Sequence, residues 1–325
     1  MPHEAAMRQA YGDALWGTWI GIVINLLLGV AKIVAGVLGN CFALVSDGLH
    51  SLADLATSLG TLVGFRIAMK PPDLNHPYGH SRAEAVIGAY VSLALAAAGA
   101  WVIVRAFSMI GAPHAAPATY TLVVAAASIV IKESLFRYKI RLGRRLNSTS
   151  LIADAWDHRS DVFSSLAVLI GAGLTRYVGW HSADDVAAII VGATLIWAAL
   201  VLLRDSTDEL MDRQQNDEMV QRLRAIALGV GGVRGVEKLW VRKAGLEYMV
   251  DIHIEVDPLM TVQQSHGVAH EVQDGLRRAI PAIHQALVHV EPHTAMSHLT
   301  EERGRSFEHE RHDRPPSPAR SDSRG

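Results

Sequence analysis

The sequence predicts an α-helical membrane protein, six transmembrane helices followed by a small α+β domain on the cytoplasmic side, and three observations carry that expectation. Half of the 325 residues are hydrophobic, too many for one large soluble core. They gather into six runs near 14–38, 41–69, 83–111, 118–142, 151–179 and 183–204, each long enough to cross a hydrocarbon layer about 30 Å thick. Beyond about residue 207 the pattern becomes mixed and amphipathic. The expected divisions are a six-helix transmembrane domain at 1–206, a cytoplasmic domain at 207–295 and a disordered tail at 296–325, which is rich in Glu, Arg, Ser and Pro without apolar periodicity.

The first run is too long for a signal-peptide core and lacks an obvious cleavage site, so it is expected to stay as a span. Within it Asn25 and Lys32 could approach a polar pathway, or Lys32 could snorkel to the outer interface. The second run opens at Cys41, the one cysteine of the chain, which excludes an intrachain disulfide and reads as a small apolar residue at a helix start. Along the third run Gly88, Ser92, Ala96 and Ala100 recur every four positions, a spacing that favours close helix packing, equally within one subunit or at a dimer seam. Arg137, Lys139, Arg141, Arg144 and Arg145 lie at the end of the fourth run and in the segment before the fifth, and Arg66, Lys70 and Arg82 lie at the end of the second run and before the third. The opposite loops carry almost no Lys or Arg, so both termini are expected to face the cytoplasm of a bacterial-type inner membrane.

The chemistry lies in a pattern that occurs twice, Asp47-x2-His50-x3-Asp54 in the second run and Asp154-x2-Asp157-x3-Asp161 in the fifth. Steps of three and four put each set on one helix face. Ser58 and Leu59 are answered by Ser165 and Leu166 at the same offset. With the second span running inward and the fifth outward, the two copies lie on antiparallel helices, as in a three-plus-three inverted repeat with a site near the midplane. Ionisable groups there are costly and usually line an ion path or pair with a partner. His50, Asp54, Asp157 and Asp161 supply one imidazole and three carboxylates, a donor set for Zn²⁺, Fe²⁺, Mn²⁺ or Co²⁺ rather than Cu(I). Clustered carboxylates hold protons when no cation is bound and lose them when one arrives, which makes proton exchange natural. Asp47 and Asp154, one turn away, read as groups behind the ligands or along the access path, and equally as structural residues. His158 points about 100° away from Asp157 and reads as a packing residue or a group behind the ligands rather than as a ligand.

Ser46 to Asp54 (SDGLHSLAD), the loop His76-Pro77-Tyr78-Gly79-His80 and Ala153 to Ser165 (ADAWDHRSDVFSS) together resemble the cation diffusion facilitator family of metal transporters. The resemblance spans roughly residues 10–295. It implies a homodimeric, proton-coupled exporter of divalent metal whose transport site is His50, Asp54, Asp157 and Asp161, with a cytoplasmic domain of ferredoxin- or metallochaperone-like type. Many zinc-exporting members carry His where this chain has Asp157, and the exchange hardens the site toward Fe²⁺ or Mn²⁺. The Asp157-His158-Arg159-Ser160-Asp161 form is similar to the branch that includes magnetosome transporters.

The same resemblance assigns Asp73, His76 and His80 to an interfacial metal site, with Pro77 and Gly79 constraining the turn; an ordinary solvated loop is the alternative. Arg82 and Asp212 match a charged pair joining two subunits, although Arg82 alone also serves as a positive-inside anchor. In the soluble part, residues 216–229 and 261–280 read as helices, and 236–243, 247–256 and 286–291 as strands. Tyr248, Val250, Ile252, Ile254 and Val256 would face a core, leaving Asp251, His253 and Glu255 on the other side. His253, His289 and Glu291 match metal-binding positions of the family, and His266 matches a bridging one. A further ligand position appears as Trp240, so the domain is expected to bind fewer metals or to act mainly in dimerisation. The alternative for these residues is a set of ordinary surface histidines.

Nothing in the chain calls for an organic cofactor or a nucleic acid partner. A membrane metalloprotease is excluded because His270-Glu271 lacks a second His at the required spacing. A metal-sensing or assembly scaffold that moves no ion is the competing function.

Overall fold

The structure is a computed structural model that describes residues 2–111, 115–145, 149–245 and 247–293, without the side chains of 2–18 and 149–154. The expected tail at 296–325 lies outside the described residues. The chain divides into two compact units, Met1–Met211 and Asp212–Gly325, each taken by itself below.

In the first unit the six apolar runs are six long helices: α1 (Pro2–Leu38), α2 (Phe42–Ala68), α3 (Ala83–Met109), α4 (Thr119–Arg145), α5 (Thr149–Gly173) and α6 (Ala183–Leu210). α5 passes into a π turn, Leu174–Val178, that closes on Gly179 at φ +80°, a left-handed conformation glycine adopts without a Cβ clash. Five of the six are long and apolar enough to cross a membrane. The exception by composition is α2, which carries Asp47, Asp54 and Arg66. Its Asp47 and His50 are buried, while Leu59, Leu62 and Val63 point outward, so the polar residues are turned into the bundle and the helix keeps an apolar outer face.

The same pairings recur in both halves, α1 on α2 and α4 on α5, α2 on α3 and α5 on α6, with α1–α4, α2–α5 and α3–α6 seams between halves. The repeat keeps its register beyond the motif. The separation that relates Asp47 to Asp154 also relates Lys32 to Lys139, Asn25 to Lys132, and the end of α1 to the end of α4.

The α3–α6 seam runs through Ser92, Leu95, Gly99, Val102 and Ala106, all buried. Of the expected four-residue series, Ser92 is buried in this seam and Ala100 is exposed, so the series as a whole does not pack within one subunit. A step of four advances 400°, so three steps rotate about 120° off the face, and a seam must alternate threes and fours. Gly99 matters because a Cβ there would stand 2.9 Å from the Gly192 carbonyl oxygen of α6.

The start of α2 is held by another helix. The Asp184 carboxylate, from the first turn of α6, accepts from Phe42 N at 2.7 Å and Ala43 N at 3.3 Å, and lies 3.1 Å from Cys41 Sγ. These are amides with no partner inside α2, so an acid supplied from α6 replaces the missing side-chain cap. Cys41 is therefore a hydrogen-bonding group as well as a small buried one.

The second unit is a three-stranded sheet in the order β1 (Gly235–Ala244), β2 (Glu247–Val256), β3 (Ile283–Pro292), with α7 (Asp217–Leu228) and α8 (Val262–Ala279). β1 is antiparallel to β2, and β3 is parallel to β2 through the α8 crossover. Val250, Ile252, Ile254 and Val256 alternate into a core closed by Leu223 and Ala227 of α7 and Val272 and Leu276 of α8. Asn216 caps α7, and Thr261 with Gln264 forms a capping box on α8. One strand departs from period two. Glu237 is an extra residue between Val236, opposite Ile254, and Lys238, opposite His253, so β1 carries a bulge there.

Candidate metal centres

Inside the helical unit, His50 and Asp54 of α2 and Asp161 of α5 bring one ligand atom each to within 4.8 Å of one another. His50 Nε2 lies 3.3 Å from Asp161 Oδ1. Asp54 Oδ2 and His50 Nδ1 are buried and make no hydrogen bond. Asp157, the fourth expected ligand, stands outside this trio with an exposed side chain, one turn before Asp161 on α5. Asp154 belongs to α5, and its side chain lies outside the described residues.

Lysines that the motif did not single out surround the trio. Lys132 of α4 is fully buried, its ammonium hydrogen-bonded to Asp161 Oδ2 and 3.8 Å from Asp54 Oδ2. Lys32 of α1 is equally buried and donates to Asp47 Oδ2 at 2.8 Å and to Ser165 Oγ at 3.1 Å. Ser165 in turn donates to Asp47 Oδ2 at 2.7 Å, so Lys32 does not snorkel. Lys139, expected among the loop charges after the fourth run, lies inside α4 at 1% exposure, 2.8 Å from His158 Nε2. His158 Nδ1 is 3.8 Å from Asp161 Oδ2, so of its two expected readings the one behind the ligands fits, bridging Lys139 toward the trio. Asn25 is buried, and its Oδ1 makes no hydrogen bond.

In the loop before α3, Asp73, His76 and His80 form a second trio. Asp73 Oδ1 accepts from His76 N at 2.7 Å and Asn75 N at 2.9 Å, and Asp73 Oδ2 lies 3.4 Å from His80 Nε2. The backbone N–H of His76 is the main reason the Asp73 carboxyl sits below its ordinary pKa. Gly79, at φ +83°, turns the chain so that the two imidazole rings approach to 4.5 Å.

The cytoplasmic unit holds a third trio, His253 of β2 with His289 and Glu291 of β3. Parallel pairing sets His253 opposite His289, and the diagonal contact from His253 Nδ1 to Glu291 Oε1 is 2.7 Å. The bulge swings Glu237 toward the same place, its Oε2 4.0 Å from His253 Nδ1. Glu237 and Glu291 share a hydrogen bond that raises the pKa of the first and lowers that of the second. Trp240 meets the His253 ring edge-on at 5.8 Å. His266 stands outside the trio and faces His270 on α8, Nε2 to Nε2 3.1 Å. Glu255, expected on the open face, is 4% exposed and pairs with His293 Nδ1 at 2.6 Å. Of the expected subunit pair, Arg82 donates to the Leu210 carbonyl at 3.2 Å, and Asp212 lies 3.7 Å from Arg242.

Sequence reasoning missed Lys132, Lys139 and Glu237. The constant offset of the repeat was the available signal for the lysines. For Glu237 it was the phase slip from Val236 to Leu239 and Val241 along β1.

Comparison with known proteins defines the class. Residues 18–211 match the cation efflux transmembrane domain, and residues 215–293 match the cation efflux protein cytoplasmic domain. The chain belongs to the cation efflux, or cation diffusion facilitator, family of multi-pass membrane transporters of metal cations. It is 31% identical over 280 residues to the manganese efflux system protein MneP of Bacillus subtilis, covering 84% of this chain and 94% of that one. The magnetosome protein MamB of Paramagnetospirillum magneticum is 31% identical over 275 residues, 84% of this chain and 93% of MamB. A solved MamM C-terminal domain is 34% identical, covering 24% of this chain and 98% of that domain with a TM-score of 0.23.

Proposed function

We propose that this protein exports a divalent first-row metal ion from the cytosol in exchange for protons, as a homodimer in a bacterial-type inner membrane. The observation that carries the reading is the convergence of His50, Asp54 and Asp161 from two helices of the membrane unit. In this reading the ion binds those three and Asp157, whose exposed side chain turns inward on loading, and alternating access opens the site to each side in turn. As the ion arrives from the cytosol the carboxylates release their protons to that side, and they take up protons from the far side as the ion leaves. Three carboxylates and one imidazole favour Fe²⁺ or Mn²⁺ over Zn²⁺, and a relative named for manganese efflux fits that preference.

The other two trios take supporting parts. Residues 1–206 would form the transport domain and 207–295 a dimerisation and metal-binding domain. Asp73, His76 and His80 would hold a metal at the interface of two subunits, with Arg82 and Asp212 paired across it. His253, His289 and Glu291, with His266 in a bridging position, would bind cytosolic metal and couple its concentration to dimer geometry.

Metal uptake into proteoliposomes carrying a pH gradient tests the reading, comparing Zn²⁺, Fe²⁺ and Mn²⁺. Native protein is expected to move Mn²⁺ or Fe²⁺ in preference to zinc, Asp157→His to shift the preference to zinc, and Asp54→Ala to abolish uptake while leaving the dimer intact. Absence of flux in the native chain would leave the scaffold function standing. Equal zinc transport by the native and Asp157→His chains would remove Asp157 from selectivity.

A further inference from the structure

Lys132 has no part in the duplicated motif, yet its ammonium lies on the same carboxylates that the metal needs. It hydrogen-bonds Asp161 Oδ2 and stands 3.8 Å from Asp54 Oδ2. The other buried lysines have partners outside the trio, Asp47, Ser51 and Ser165 for Lys32 and His158 for Lys139. The repeat sharpens the contrast. The counterpart of Lys132 in the first half is Asn25, a buried neutral amide, so helix packing at this position of the repeat does not require a cation. Nor does the lysine saturate the cluster, since Asp54 Oδ2 and His50 Nδ1 are buried without a hydrogen bond.

We infer that Lys132 is a tethered counter-cation that competes with the transported ion for Asp161 and Asp54. The inference rests on the reading of this cluster as the transport site. A first-row dication holds oxygen and nitrogen ligands at about 2.0–2.2 Å, which puts them about 3.4 Å from one another. An ammonium on Asp161 Oδ2 fills part of that space, so the ion loads only as Lys132 leaves that oxygen. The flexible four-carbon stem lets the charge swing aside and remain close. Two consequences follow. Before loading, adjacent carboxylates in a low-dielectric bundle are not left bare. After loading, the nearby ammonium weakens the hold on the ion and retakes Asp161 as the ion departs, so the lysine trades affinity for release.

The test measures Mn²⁺ and Zn²⁺ affinity at one fixed pH by calorimetry on full-length purified protein. The background carries His76→Ala, His80→Ala, His253→Ala and His289→Ala, which removes the other two trios. Lys132→Gln, an amide like that of Asn25, is expected to bind the metal at least about tenfold more tightly, a change of about 1.4 kcal/mol, and to turn over more slowly in proteoliposomes. Unchanged or weaker binding in a folded Lys132→Gln protein overturns the proposal. Lys132→Arg is the arm that does not depend on neutralising the site. Its planar fork can hold both carboxylates at once, so it is expected to weaken metal binding several-fold, and unchanged affinity there overturns the proposal equally. Asp54→Ala in the same background separates the two readings: metal that binds to it as tightly as to the Asp54 protein refutes the transport site itself, whatever Lys132 does.

Discussion

Replacing Lys32 with Met removes one charge from a buried pair and leaves the other behind. Lys32 and Asp47 have 0% and 1% side-chain exposure and lie 2.8 Å apart, and Ser51 and Ser165 complete the coordination of the ammonium at 3.4 and 3.1 Å. In Lys32→Met, Asp47 retains its hydrogen bond from Ser165 and loses its counter-charge. Breaking a buried pair from one side costs about 3–5 kcal/mol. For a unit of roughly 200 residues each kcal/mol moves the melting temperature by about 2–4 °C, so a fall of about 6–20 °C is expected. Lys32→Met combined with Asp47→Asn removes both charges, and it should recover more than half of that loss. Thermal unfolding of the purified protein in detergent, followed by far-ultraviolet circular dichroism, reads both values. A single variant that melts within 2 °C of native, or a double variant that falls by the sum of the two singles, would refute the pairing as a stabilising unit.

Other outcomes follow from single contacts. Gly99→Val pushes side-chain carbon against the Gly192 carbonyl, 2.9 Å from the first added atom, and should destabilise the α3–α6 seam by at least about 1–3 kcal/mol in the same melting assay. Trp240→His returns an imidazole to a position beside His253 and should raise Zn²⁺ affinity at the cytoplasmic trio, measured by competition with a chelating dye, by about tenfold or more. At that trio the hydrogen bond that protonated Glu237 donates to the Glu291 carboxylate raises the Glu237 pKa. A raised carboxyl stabilises the fold while protonated, and that contribution is lost as pH rises through its folded pKa, where the two carboxylates repel. Metal relieves the repulsion, so the thermal shift produced by added Zn²⁺ should grow as pH rises through that range and flatten in Glu237→Gln.

The membrane motifs were readable because they are local: three residues at steps of three and four need only helical geometry to share a face, and α2 and α5 supplied it for His50, Asp54 and Asp161. The strands of the second unit were readable for the same reason, since alternation fixes which side Val250, Ile252 and Ile254 face. What escaped depends on partners far away in sequence. Lys139 has the appearance of a loop charge until α4 is seen to carry it inward to His158, and Glu255 has that of an open-face residue until His293 covers it. Glu237 fell to a different cause, because a bulge changes the parity on which the alternation argument rests.

The buried lysines also bear on how a site rich in carboxylates persists in a membrane at all. Asp47 is matched by Lys32, and Asp161 by Lys132, so each motif helix receives a cation from the helix packed before it, α2 from α1 and α5 from α4. The match is made differently in the two halves. In the first, the lysine takes Asp47, the aspartate that opens the motif and stands outside the trio of His50, Asp54 and Asp161. In the second, Lys132 takes the aspartate that closes it, inside the metal cluster, where the first half has Asn25. A fully symmetric pair of halves would either leave the cluster without a counter-charge or crowd it with two. Departure from symmetry at this one pair of positions leaves the cluster with part of its negative charge offset by a cation on a flexible stem, and on the reading proposed above that cation would move aside as an ion enters and return as it leaves.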